Sequence, residues 1–122
     1  MKALTIRQPY ASAVIYAGKD VENRTWRTKY RGELWIHAGL TSNQSDPDLP
    51  RSDLRGVMLG TVELVDVVTD STSEWAEEGM FHWLLRNPMC LYRPIKMRGR
   101  QGLWTPEFRP GESPVLYPVE MF

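Results

Sequence analysis

The 122-residue chain has one cysteine, two histidines and no surplus of charge of either sign. A lone Cys90 excludes a disulfide framework and fits a reducing compartment. The N-terminal stretch MKALTIRQPY breaks at Arg7 and Gln8, where a signal peptide needs continuous apolar residues. No apolar run approaches the ~18 residues of a membrane-spanning helix. Fifteen basic residues cancel fifteen acidic ones, which excludes a polycation that coats nucleic acid by total charge. His37 and His82 have no partner at metal-ligand spacing. Asp46, Asp48 and Asp53 stand in a polar, proline-containing loop where turn chemistry accounts for them. No metal site and no cofactor are expected. The length suits one hydrophobic core, so the expectation is a soluble, cytoplasmic single domain over residues 1–122.

What the chain does have is charge in blocks and a generous supply of rings. Residues 1–39 sum to +4, residues 40–80 to −7 and residues 81–109 to +5. If the two basic blocks meet in space, they make a positive cleft beside an acidic flank. Eleven of the fifteen cations are arginine, whose planar fork binds phosphate bidentately and stacks on flat rings. Five tryptophans and five tyrosines complete a composition suited to stacking bases and holding phosphates. The competing reading makes Trp35, Trp83 and Trp104 core residues and the arginines a solvated surface.

Periodicity predicts a small α+β domain. Residues 3–6 alternate as a short strand. Pro9 opens a helix whose apolar stripe is Ala11, Val14 and Ile15, with Gly18 as its stop. Residues 19–26 turn into an extended segment, 33–38 form a strand, and 40–55 are loop. The longest strand is expected at 56–69, bent at Gly60. Ser71 and Glu74 have the spacing of a capping box, which predicts a short helix to residue 78. A second helix is expected at 80–87, then a strand at 91–97 and an edge strand at 115–119. The resulting picture is a barrel-like sheet with helices against it.

The segments Gln8-Pro9-Tyr10-Ala11-Ser12, Gly18 to Trp26, Tyr30-Arg31-Gly32 and Ile36-His37-Ala38-Gly39 together resemble the ASCH domain, a relative of the RNA-binding PUA domains. The family signature G-x-K-x-x-E-x-R is present in compressed form as Gly18-Lys19-x-x-Glu22-x-Arg24. The stretches at 60–65 and 99–104 resemble later blocks, so the likeness runs in order over about residues 4–104, leaving 105–122 as a C-terminal extension. It implies a PUA-like β-barrel with flanking helices and a cleft lined by the Lys-Glu-Arg motif. On this reading Lys19, Glu22 and Arg24 form the floor of a basic, nucleic-acid-binding cleft, with RNA, single-stranded or structured, as the expected ligand. Tyr10 and Ser12 come from the helix start, Trp26 is a stacking platform on the strand face of Glu22 and Arg24, and Arg98, Arg100 and Gln101 form a far wall. A structural ion pair between Glu22 and its basic neighbours is the plainer alternative.

Hydrolysis is the competing function. Some ASCH-like proteins deacetylate N4-acetylcytidine with a lysine followed three positions later by a threonine nucleophile. Here Lys19 matches but Glu22 fills the threonine position, and strand parity sends Thr25 to the opposite face. A ribonuclease would use Lys19 and Glu22 as its proton-transfer pair, with Arg24 on the charged transition state. A protein adaptor engaged through the acidic block is the third class.

Overall fold

The computed structural model describes residues 1–119. Seven strands and one helix run in the order β1 (Lys2–Ile6), α1 (Tyr10–Tyr16), β2 (Val21–Arg24), β3 (Gly32–Ala38), β4 (Val57–Val68), β5 (Phe81–Lys96), β6 (Leu103–Trp104) and β7 (Leu116–Pro118). The strands make one curled mixed sheet in the order β2-β5-β4-β3-β1-β6, with β7 added on β5. Among the described residues only the β1–β3 pair is parallel. The architecture is a PUA-like half-barrel of the α+β class, with one flanking helix among the described residues instead of the several expected.

Both predicted late helices are absent. Residues 80–87 are mostly the first half of β5, where Phe81–Leu84 pair with β2 and Val67 pairs with Trp83 on the other side. A largely apolar run, interrupted by His82, fits a buried strand as well as a helix, and the aromatic residues in it favour the strand. Ser71 and Ser73 turn the chain locally: their hydroxyls accept from the backbone N–H groups of Ser73 and Trp75. The box spacing therefore closes two small turns and caps no helix. The longest strand is β5, which continues through Asn87 (φ 54°) and Pro88 because the register slips between Arg86 and Met89.

Two apolar clusters hold the sheet. Inside the curl, Ala11, Val14 and Ile15 of α1 pack on Leu34, Ile36, Leu59, Leu64 and Trp83. On the opposite face, Ala3, Trp35, Met58, Leu91 and Trp104 are covered by Phe108 and Leu116. Trp35, Trp83 and Trp104 are thus core residues. The segment expected as an extension from residue 105 helps to seal this second cluster, and its last three residues lie outside those described. The loop before β4 is equally well fixed. The buried Gln8 side chain donates to the Arg51 and Leu54 carbonyls, and Arg51 donates to Tyr16 and to the carbonyls of Leu91 and Tyr92.

The register of β4 also slips between Met58 and Gly60. A Cβ on Gly60 would lie 1.9 Å from the Met89 carbonyl oxygen of β5, so no side chain fits without moving the partner strand. Gly60→Ala is expected to lower stability by about 2 kcal/mol or more in chemical denaturation. A change within experimental error would mean that β5 yields there at no cost.

His37 ties β3 to the chain after β5. Its Nε2–H donates to the Met97 carbonyl at 2.6 Å and its Nδ1 faces the Thr5 hydroxyl at 3.3 Å. Burial holds the imidazole below its ordinary value of 6.5, and the bond to Met97 opposes that shift only in part. The unfolded chain therefore takes the proton first. The stability owed to neutral His37 is fully present above about 6.5 and is lost as pH falls toward the lower folded-state value. The denaturation midpoint should fall on acidification through this window, and more gently in His37→Gln. Parallel slopes for the two proteins would remove His37 as the source.

Candidate functional site

The cleft lies where the curled sheet leaves its ends unjoined. β6 pairs only with Ala3 and Leu4, so β1 extends past it at Thr5 and Ile6. Across from these residues stands β2, the other end strand. Between them opens a cleft of about 800 Å³, walled on the third side by residues 74–77 and 80 of the β4–β5 connection. That volume is within the range of small-ligand sites.

Its floor is an ion-paired triad. Gly18 (φ 69°) reverses the chain after α1, and the Lys19 N–H returns to the Ala13 carbonyl. This sends the Lys19 side chain inward, where it is 5% exposed. Its ammonium donates to the Val21 carbonyl and to Glu22 Oε1 at 3.0 Å. Glu22 Oε2 accepts from Arg24 Nε at 3.0 Å and lies 2.8 Å from Nη2. Nη2 also donates to the Thr5 carbonyl at 3.0 Å, so the Arg24 side chain bridges β2 to β1. Glu22 and Arg24 share a strand face, as their spacing predicts.

Rings line the walls. Tyr10 is 40% exposed at the start of α1, and the Lys19 ammonium lies 6.0 Å from its centroid and 5.9 Å from that of Trp75. Trp26 sits beyond the end of β2, edge-on to Trp83 at 4.7 Å, and its other surroundings include the cleft. The same early end of β2 leaves Thr25 exposed on the cleft lining, because strand parity no longer applies past Arg24.

The remaining expected residues stand elsewhere. Ser12 is fully buried, accepting from the Gln8 amide, and is not part of the lining. Arg98, Arg100 and Gln101 are exposed and also outside the lining. Gly99, between Arg98 and Arg100, packs against the His37 ring and the Thr5 hydroxyl, where a Cβ would come within 2.7 Å of Thr5 Oγ1. The charged lining consists of Arg7, Lys19 and Arg24 against Glu22, Glu74 and Glu77, so cations and carboxylates balance. The first basic block meets the acidic block in this cleft, and the second basic block contributes no residue to its lining.

Several lining residues were not assigned a place in the site from the sequence. Trp75 and Glu74 lie where the serine spacing predicts a helix, and Arg7 reads from the sequence as a break in an apolar run. Asn23 has no expected role from the sequence, yet it fixes the third wall. Its amide donates to the Trp75 carbonyl at 2.9 Å, and its oxygen accepts from the Glu77 N–H at 2.8 Å. His82, opposite Asn23 in the β2–β5 register, completes the clamp. Its Nε2–H donates to the Glu77 carbonyl at 2.7 Å and its Nδ1 accepts from the Ser71 N–H at 3.1 Å. The signal was present in the sequence as an asparagine inside the motif, between Glu22 and Arg24.

A half-barrel with one helix at its mouth and a lysine–glutamate–arginine triad in its seam defines a PUA-like cleft protein. The chain belongs to the ASCH domain family, whose model matches residues 4–115. It is similar to activating signal cointegrator 1 of Homo sapiens, at 26% identity over 126 residues covering 83% of this chain and 21% of that protein. Its similarity to activating signal cointegrator 1 of Mus musculus is 25% over the same shares. The chain therefore spans about a fifth of the length of these curated relatives.

Removing Glu22 would leave the buried Lys19 ammonium without its carboxylate and free Arg24 from the floor. Glu22→Ala should cost about 3 kcal/mol in denaturant unfolding, as expected for breaking a buried pair. A loss below about 1 kcal/mol would class the triad with exposed surface pairs.

Proposed function

We propose that this ASCH domain binds nucleic acid, RNA in particular, by taking unpaired bases into the seam cleft. The observation that carries the reading is the cleft itself: Tyr10, Trp26 and Trp75 offer rings around a polar floor whose charges are already paired. Bases can stack on such rings in any sequence, each stack contributing about 1–3 kcal/mol. Lys19, Glu22 and Arg24 serve as a rigid floor with polar edges. Arg7 is the exposed lining cation with no carboxylate partner among the described residues. Phosphates leaving the cleft meet Arg7 first, and Arg98, Arg100 and Gln101, exposed outside the lining, are the residues proposed to serve a strand that continues beyond it. Ser12 contributes indirectly, by holding Gln8 and so the start of α1.

The reading includes a cytoplasmic protein with no membrane role. Among the described residues no helix is long and apolar enough to cross a membrane. Catalysis by Lys19 and Glu22 fits less well, since both oxygens of Glu22 accept from cations and Lys19 is held by two acceptors. The exposed Thr25 hydroxyl on the lining is the observation that favours a hydrolase, whether a ribonuclease or a nucleoside amidohydrolase, as the second reading.

Because two of the lining cations are internally paired, few phosphates are neutralised. Binding of a labelled single-stranded RNA should weaken with salt at a slope of about −0.7 to −1.4, the value for one or two contacts on a single strand. Arg7→Ala should reduce the slope by about 0.7. The RNA should remain intact on a denaturing gel. Shortened RNA would put the ribonuclease first, and absence of binding by the folded protein would overturn the reading.

A further inference from the structure

The two rims of the cleft carry opposite charge. On one side stands the exposed Arg7. On the other stand Glu74 and Glu77, both exposed, whose carboxylates take no hydrogen bond or ion pair among the described residues. The acidic rim is held in place. Asn23 and His82 fix the Glu77 backbone at both its N–H and its carbonyl, and the Ser73 hydroxyl donates to Asp20. Glu22 is the third lining carboxylate, but Lys19 and Arg24 already occupy its oxygens.

A strand laid across such a cleft has one favourable orientation. Its phosphates avoid the acidic rim, because like charges placed together repel and suppress that orientation. The sugar–phosphate backbone therefore follows the Arg7 side, and the base edges point toward Glu74 and Glu77. An ionised carboxylate only accepts hydrogen bonds. It pairs with the exocyclic amino group of cytosine and opposes the carbonyl oxygen that uracil presents at the same position. From this we infer that the cleft selects bases bearing an exocyclic amino group over uracil, with Glu74 and Glu77 as the selecting groups. The inference rests on the nucleic-acid reading above and specifies its ligand.

The cleanest comparison is oligocytidylate against oligouridylate, since the two bases have rings of the same size. Both would be titrated at slightly alkaline pH into the wild-type protein, Glu74→Gln/Glu77→Gln and Arg7→Ala, with circular dichroism to confirm folding. Wild type should hold the cytosine strand about tenfold more tightly. The double glutamine variant should bind both strands more strongly and bring the ratio close to one, because an amide donates as well as accepts. Arg7→Ala should weaken both strands equally and keep the ratio. Equal wild-type affinities, a preference for uracil, or a ratio unchanged in the double variant would overturn the inference and leave the binding reading standing. Failure of wild type to bind any strand would overturn the binding reading itself.

Discussion

The Glu22 carboxylate is the group on which the rest of the cleft depends. One oxygen holds Lys19, the other holds Arg24, and Arg24 reaches on to the Thr5 carbonyl. β2 and β1 share no backbone ladder. What joins them here is a side-chain bridge that spans the seam while leaving room above it. A ladder at this point would close the sheet and fill the space with strand. The family motif therefore bridges the seam of the half-barrel and shapes the cleft above it at once. The ion-pair reading of the motif and its site reading describe the same atoms.

This dual role explains how far the sequence could be read. The lysine, glutamate and arginine were legible as a unit because glycine marks the turn before them and alternation puts Glu22 and Arg24 on one face. Their partners were not legible, because those partners come from elements distant in the chain. Thr5 enters through a backbone carbonyl, which has no sequence signature. Trp75 enters from a connection whose serines imitate a helix cap. Trp26 and Thr25 depended on where β2 ends, a matter of one residue that parity arguments cannot settle. The fold shows the same division. Strands with alternation, such as β1 and β3, are legible as strands, whereas the start of β5, apolar except for His82 and without alternation, reads as a helix.

Charge blocks misled in an instructive way. A sum over forty consecutive residues assumes that neighbours in sequence share a surface, but a sheet this curled interleaves them. Arg31 pairs with Asp66 and Arg86 with Glu63, so parts of both basic blocks are taken up by the acidic one across strands. What remains at the cleft is a balanced set of side chains divided between two rims.

That division matters more for recognition than a net positive cleft would. A uniformly basic groove attracts any polyanion and orients it poorly, since every phosphate is attracted equally at every position. A neutral cleft with opposed rims gives up long-range attraction but fixes which way a phosphate-bearing ligand faces. The paired floor adds to this effect. Lys19 and Arg24 are already ordered by Glu22, so binding need not immobilise them, and less conformational entropy is lost when a ligand enters. The ring of Tyr10 is similarly preset by a helix start that the buried Gln8 ties to the neighbouring loop. On the proposed reading, rigid aromatic walls, a neutralised floor and a single open arginine favour a ligand with a flat polar ring and few charges, which an unpaired nucleotide supplies and a duplex backbone does not.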